Sequence, residues 1–97
     1  MKMKSLSSAE LKTLYEKDKN INILDVREES EYEMGHIPGA EFKPLSEFPI
    51  QIDKEKTYYV ICAGGGRSSM ACEFLQKEGY DVVNVNDGMS AWSGDIE

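Results

Sequence analysis

Two short apolar runs limit what this 97-residue chain can fold into: "INILDV" at residues 21–26 and "TYYVIC" at residues 57–62. Nearly continuous apolar runs of this length are typical of strands that are buried on both faces of a parallel sheet. A third run, "DVVNV" at residues 81–85, predicts a further strand. Because parallel strands are joined by crossover connections, we expect helices in the intervals between these runs.

Helical patterns are found in the first half of the chain. Ser7 and Glu10 have the spacing of a capping box, and leucine and tyrosine residues follow at helical intervals, which predicts a helix over residues 8–18. The acidic segment "REESEYEMG" predicts a short exposed helix that ends at Gly35. The segment "HIPGAEFKPL" predicts a turn and a brief strand, since proline and glycine interrupt it.

Two further helices are predicted in the second half. The segment "RSSMACEFLQKEG" predicts a helix that ends at Gly79, a residue suited to a helix C-terminus. Its apolar face is predicted to consist of four residues: Met70, Ala71, Phe74 and Leu75. The segment "DGMSAWSG" predicts a turn and a short final helix, with Asp87 placed to cap it.

The alternation of strands and helices predicts an α/β fold, with a central, mostly parallel sheet flanked by helices on both faces. The length of the chain is that of one domain, over residues 1–97. In such sheets, ligands bind at the carboxyl ends of the strands. Cys62 ends the run "TYYVIC" and directly precedes a predicted helix. We therefore expect the functional site at Cys62.

Composition and charge exclude several classes of partner. With 40% apolar and 30% charged residues, the chain resembles a soluble globular protein. Its net charge of -7 disfavours nucleic acids and anionic membrane surfaces, because like charges repel. The N-terminus turns polar after two lysines instead of forming a signal peptide, and no stretch approaches the roughly 18 apolar residues of a membrane span. We expect a cytoplasmic protein with free cysteines, and a lone His36 gives no metal site.

The stretch "CAGGGR" at residues 62–67 has the pattern of an anion-binding loop. A strand, a glycine-rich turn and a helix N-terminus together direct backbone N–H groups and the positive end of the helix dipole towards one point. If the sulfur of Cys62 lies there, these groups and the Arg67 guanidinium lower its pKa and make it a nucleophile. The predicted site has Cys62 as the catalytic residue and five substrate-binding residues: Ala63, Gly64, Gly65, Gly66 and Arg67.

The length of this loop distinguishes two chemistries. Four residues separate Cys62 from Arg67, whereas the phosphotyrosine-type phosphatases have five and form a wider cradle for a tetrahedral phosphate. The shorter ring of amides suits one sulfur atom added to the cysteine. The spacing therefore favours a persulfide intermediate over a phosphocysteine.

Three sequence blocks resemble the single-domain rhodaneses of the rhodanese-like sulfurtransferase family: "ILDVREESEYEMGHIPGA" at residues 23–40, "CAGGGRS" at residues 62–68 and "VNDGMSAW" at residues 85–92. The resemblance implies a three-layer α/β fold and a cycle in which Cys62 takes a sulfane sulfur from thiosulfate, a polysulfide or another persulfide. The Cys62 persulfide then passes that sulfur to cyanide, a thiol or a protein. No cofactor is expected.

The chain departs from the family pattern at two positions. Arg67 is the one cation in the loop, whereas many members carry a second cationic or polar side chain directly after the cysteine. We therefore expect the dianion thiosulfate to be a weaker donor than a neutral or thiol-bound sulfane sulfur. Asp87 stands where the family often has the first of two glycines, and we expect the turn to be kept.

The sparse charge of the loop leaves a second function open, a rhodanese-like binding or redox-sensing module with low turnover. The intact cysteine favours the enzyme over that module. We expect a monomer, and the acidity of the chain suggests a basic surface on any protein that accepts sulfur from it.

Several other residues are interpreted as structural. Cys72 lies too far inside its predicted helix to bridge the loop cysteine without unwinding, so we interpret it as a packing residue, with a redox role as the alternative. Asp25 and Arg27 are interpreted as a structural ion pair, with lining of the pocket as the alternative. We interpret His36 as a hydrogen-bonding residue in a turn and Trp92 as a core residue that holds the final helix.

Overall fold

A five-stranded parallel sheet forms the centre of the computed structural model, which describes residues 3–97. The expected domain range of 1–97 thus extends two residues beyond the described part. The strands are β1 (Lys4–Leu6), β2 (Asn22–Asp25), β3 (Glu41–Phe42), β4 (Thr57–Ile61) and β5 (Asp81–Val85). They lie in the order β1-β5-β4-β2-β3, and every neighbouring pair is parallel. The prediction of a central parallel sheet is confirmed.

The helices connect these strands. They are α1 (Ser8–Lys17), α2 (Glu29–Glu33) and α3 (Gly66–Lys77), with two short 3-10 helices at Leu45–Glu47 and Met89–Ala91. The first two begin at capping boxes, at Ser7 for α1 and at Glu28 for α2. Within the described residues, no helix has both the length and the apolar character needed to cross a membrane.

Each face of the sheet carries its own half of the hydrophobic core. Leu75 of α3 belongs to one half together with Val60 of β4, and Leu11 of α1 belongs to the other together with Ile61. Val60 and Ile61 are neighbours in one strand, so their side chains point to opposite faces. The sheet is therefore covered by helices on both sides, which confirms the three-layer α/β prediction.

The buried face of α3 differs from the predicted one. Its buried residues are Ser68, Ala71, Cys72 and Leu75. Met70 and Phe74, which were predicted to be part of the apolar face, are 61% and 39% exposed. Both stripes have helical spacing and share Ala71 and Leu75, and Ser68 and Cys72 complete the buried face in place of Met70 and Phe74.

Asp87 caps a different helix from the one predicted. Its Oδ1 accepts a hydrogen bond from the backbone N–H of Ser8 at 2.6 Å, in the first turn of α1. The last 3-10 helix begins instead after Gly88, with no side-chain cap. Because α1 starts at the same sheet edge as the loop after β5, the Asp87 carboxylate lies beside the first turn of α1, where N–H groups have no partner within the helix. Asp87 thereby ties α1 to this loop.

Candidate active site

The loop after β4 lies at the carboxyl edge of the sheet, between two neighbouring strands. Ile61 of β4 pairs with Asp25 of β2, and Cys62 is the next residue. The helix α3 begins at Gly66, with Gly65 as its N-cap. The sulfur-bearing residue therefore lies between a strand end and a helix N-terminus, as the sequence predicts.

Hydrogen-bond donors surround the sulfur of Cys62, which is 1% exposed. The backbone N–H of Gly65 donates to Sγ at 3.1 Å, and the Ser68 hydroxyl lies 3.4 Å from it. Burial raises the pKa of the Cys62 thiol, but the Ser68 hydroxyl and the backbone N–H groups of Ser68, Gly65 and Gly64 lower it by more. The pKa of Cys62 therefore lies below its usual value, and the thiolate is favoured.

Ser68 is a site residue that sequence reasoning missed. Its hydroxyl is fully buried and also donates to the carbonyl oxygen of Gly65 at 3.1 Å. The hydroxyl has one hydrogen, so when Cys62 is a thiol its S–H donates to the Ser68 oxygen while that hydrogen is donated to Gly65. When Cys62 is a thiolate, the hydroxyl can turn from Gly65 and donate to the sulfur. The sequence feature that could have identified Ser68 is its position in the first turn of the helix that follows the cysteine loop, because side chains there tilt back towards the loop.

The three glycines of the loop have different roles. Gly65 has a φ of 100°, and a Cβ atom there would lie 1.9 Å from the carbonyl oxygen of Asn86. Only glycine fits this position. A Cβ atom at Gly64 or Gly66 would meet no atom within 4 Å. The backbone turn thus requires glycine at Gly65, while there is open space where a side chain at Gly64 or Gly66 would lie.

A second loop, residues 86–90, supports the cysteine loop from behind. The backbone N–H groups of Met89 and Ser90 donate to the carbonyl oxygens of Cys62 and Ala63 at 2.8 and 3.0 Å. A Cβ atom at Gly88, where φ is 62°, would lie 2.5 Å from both of these oxygens. Within the described residues only glycines have a positive φ, so the turn is kept without any unusual backbone angle at Asp87.

The guanidinium of Arg67 does not contact the sulfur. Its Nη1 and Nη2 donate to the two carboxylate oxygens of Glu31 in α2, at 2.6 and 2.7 Å. A cation at a helix start predicts an anion or a thiolate opposite it, and the structure places the Glu31 carboxylate there. A cation is disfavoured in the first turn of a helix, and Glu31 compensates for that. The arginine holds the pKa of Glu31 at about 2.

A buried ion pair supports the same edge of the sheet. Asp25, at the end of β2, accepts hydrogen bonds from Nε and Nη2 of Arg27 at 3.0 and 2.9 Å. The Arg27 guanidinium also donates to the carbonyl oxygen of Gly35 at 2.8 Å. Asp25 is fully buried, Arg27 is 6% exposed, and their opposite charges compensate each other, which fits the structural interpretation of the pair.

The remaining residues that the sequence singles out lie in structural positions. Cys72 is fully buried, and burial together with the nearby Cys62 raises its pKa to about 12. The ring of His36 stacks on Tyr32, and its Nδ1 lies 3.1 Å from the Tyr32 carbonyl oxygen. Trp92 packs edge-on against a tyrosine of α1. Within residues 3–97, no group of three or more His, Cys, Asp or Glu side chains could hold a metal ion.

The sequence model described as "Rhodanese-like domain" matches residues 7–95. The chain belongs to this family. A rhodanese-like domain protein from Staphylococcus aureus has a crystal structure that superposes on this one with a TM-score of 0.90 at 40% identity, covering 98% of this chain and 97% of the other. This agreement confirms the fold that the three sequence blocks imply.

Two relatives of this rhodanese-like chain in Bacillus subtilis (strain 168) have names that bear on function. "Putative sulfurtransferase YtwF" is 39% identical over 100% of this chain and 97% of its own length. "Putative sulfur carrier protein YrkF" is 40% identical over 95% of this chain and 52% of its own length. These relatives support a role in rhodanese-type sulfur transfer.

Proposed function

We propose that the protein is a sulfurtransferase in which Cys62 carries a sulfane sulfur from a donor to a thiophilic acceptor. The supporting observation is the set of hydrogen-bonding groups around the Cys62 sulfur. The Gly65 N–H lies 3.1 Å from Sγ, and the Ser68 hydroxyl lies 3.4 Å from it, at the N-terminus of α3. These groups stabilise the thiolate before a donor arrives, so the nucleophile needs no general base.

The first half-reaction forms the persulfide. With thiosulfate, the Cys62 thiolate attacks the outer sulfur, a sulfur–sulfur bond to Cys62 forms, and the bond to the sulfonate sulfur breaks with its electron pair leaving on sulfite. The loop amides that stabilise the thiolate are also placed to stabilise the charge of the persulfide. A Cβ atom at Gly64 or Gly66 would meet open space, which is consistent with room for an added sulfur beside the loop.

In the second half-reaction an acceptor attacks the outer sulfur of the persulfide, and the Cys62 thiolate is the leaving group. Cyanide gives thiocyanate, and a thiolate gives a new persulfide. A low pKa makes a thiolate a better leaving group, so the same hydrogen bonds assist both halves of the cycle. Small thiols and sulfur-accepting proteins are the proposed partners, in a protein acting as a cytoplasmic monomer.

Steady-state kinetics test this function. We expect thiosulfate and cyanide to give thiocyanate with parallel double-reciprocal lines, as a covalent intermediate requires. Cys62→Ser should abolish turnover above the rate without protein. Cys72→Ser is the matched control, because it removes the other thiol, and should retain most of the turnover. Intersecting lines, or turnover by Cys62→Ser, would contradict the proposal.

The low exposure of the sulfur favours one alternative, a rhodanese-like module that binds a partner or reports redox state with little turnover. Cys62 is 1% exposed, so the loop must admit the donor. The same assay separates the two functions. If no sulfur donor supports thiocyanate formation by the wild type, the binding or redox-sensing module becomes the better account.

A further inference from the structure

The charge of the loop is neutralised by a neighbouring helix. Arg67 is the one cation in residues 62–67, and both of its terminal nitrogens bind the Glu31 carboxylate. The two side chains are 37% and 32% exposed, so the pair lies at the rim of the loop and not in the core. A bidentate arrangement of this kind is among the stronger ion pairs that proteins form.

Glu31 is held in place from its own side as well. Its Oε1 accepts the backbone N–H of Glu28 at 3.2 Å, as part of the capping box of α2. The carboxylate is therefore oriented by the helix before it meets Arg67. Because its pKa is about 2, Glu31 remains ionised across the neutral pH range. The surroundings are also acidic, since residues 28–33 contain four glutamates and no lysine or arginine.

We propose that Glu31 is a specificity-determining residue, which acts through Arg67 to disfavour dianionic sulfur donors relative to donors of lower charge. This inference rests on the proposed function, because it concerns the donor for the Cys62 persulfide. A dianion such as thiosulfate must either break the bidentate pair or approach a carboxylate. A monoanion pays about half of that electrostatic cost, since Coulomb energy is proportional to charge.

Two donors that differ by one charge test this inference. Benzenethiosulfonate is a monoanion with the same terminal sulfane sulfur as thiosulfate. The Cys62 thiolate attacks that sulfur, the bond to the sulfonyl sulfur breaks, and benzenesulfinate leaves with the electron pair. Both reactions give the same persulfide, so differences in kcat/KM for donor attack arise from the donor and not from the acceptor.

The variant Glu31→Gln removes the charge and keeps an oxygen that can accept the Glu28 N–H. We expect kcat/KM to rise roughly tenfold for thiosulfate and roughly threefold for benzenethiosulfonate, in proportion to their charges. Glu33→Gln is the matched control, because Glu33 is an exposed residue of the same helix. It should change both values by less than about twofold, owing to screening. Equal changes for the two donors, or a loss for both, would overturn the inference.

A second pair of measurements separates the charge of Arg67 from a merely structural effect. With thiosulfate, the double variant Arg67→Gln, Glu31→Gln should have a kcat/KM well below that of Glu31→Gln alone, because it lacks the released guanidinium that contributes to the gain. In the wild type, rising ionic strength should increase kcat/KM for thiosulfate, since the net effect on a dianion is repulsive. A decrease in kcat/KM for thiosulfate with rising salt would mean that Arg67 already attracts the donor in the wild type. That result alone would contradict the inference.

The outcome also separates this inference from the proposed function. If the wild type transfers sulfur from benzenethiosulfonate and Glu31→Gln leaves the ratio of the two donors unchanged, the specificity role of Glu31 fails alone. If the wild type transfers sulfur from neither donor and Cys62 acquires no sulfur, the proposed function fails as well.

Discussion

At the scale of single residues, the reactivity of Cys62 depends on Ser68. Its hydroxyl lies 3.4 Å from the sulfur, and no water competes for it because the group is fully buried. The Ser68 hydroxyl is the largest of the groups that lower the pKa of Cys62, because its hydrogen bond stabilises the charged form. Ser68→Ala should therefore raise the pKa of Cys62.

The sign of this effect is directly measurable. Alkylation by iodoacetamide follows the thiolate fraction, so the midpoint of its pH profile should lie below the ordinary cysteine value in the wild type and move to higher pH in Ser68→Ala. Ser69→Ala is the control, because the Ser69 hydroxyl contacts the Met3 side chain and not the Cys62 sulfur. A profile for Ser68→Ala that coincides with the wild type would contradict the role of Ser68.

At the scale of elements, the close approach of two loops holds the site. Gly65 lies against the Asn86 carbonyl, where a Cβ atom would be 1.9 Å from the oxygen. Gly65→Ala should lower the free energy of unfolding by roughly 2 kcal/mol or more, because it adds backbone strain to this clash. Gly64→Ala, with open space around its Cβ, should stay within about 0.5 kcal/mol of the wild type. Denaturant titration measures both, and equal losses would contradict the distinction.

The contact of Asp87 with α1 is the second link between elements at this edge. Asp87→Ala removes the acceptor of the Ser8 N–H and should lower the free energy of unfolding by about 1 kcal/mol. Asp87→Asn keeps an acceptor oxygen and should lose less. The hydrogen bond from Ser8 holds the pKa of Asp87 below its ordinary value. The difference between wild type and Asp87→Ala is therefore present at neutral pH and lost as the pH falls through that pKa.

At the scale of the whole molecule, the two thiols report on different events. Cys72 is fully buried in the core on the α3 side of the sheet, and its pKa is raised to about 12. Cys62 is also buried, but its pKa is lowered and it lies in a loop, so a thiol reagent should label Cys62 faster than Cys72, which is labelled only when the core opens. Peptide mapping after timed labelling measures both. Comparable rates at the two positions in native buffer would contradict the packing role of Cys72.

How well the sequence predicts each structural feature depends on how far apart in the sequence the interacting residues lie. The runs at β2, β4 and β5 are predictable because burial on both faces leaves a continuous apolar pattern. The first two residues of the edge strand β1, "KSL", are exposed, so this strand has no continuous apolar pattern. The buried face of α3 is ambiguous because apolar residues lie on two adjoining stripes.

The candidate site follows the same rule. The cysteine loop is predictable because its residues are consecutive, and so is the placement of Cys62 at a strand end. The pairing of Arg67 with Glu31 joins residues 36 positions apart, and the contact of Asp87 with Ser8 joins residues 79 apart. No local pattern encodes such contacts, because they arise only when the sheet brings separate strand ends to one edge.

The most direct test of the account is the mass of the intact protein after exposure to thiosulfate, polysulfide or benzenethiosulfonate. We expect a gain equal to one sulfur atom, located on Cys62 and removed by cyanide, in the wild type and in Cys72→Ser. The gain should be absent from Cys62→Ser. A protein that gains no sulfur from any of these donors, or gains it equally without Cys62, would contradict the claim that the Cys62 persulfide carries the reaction.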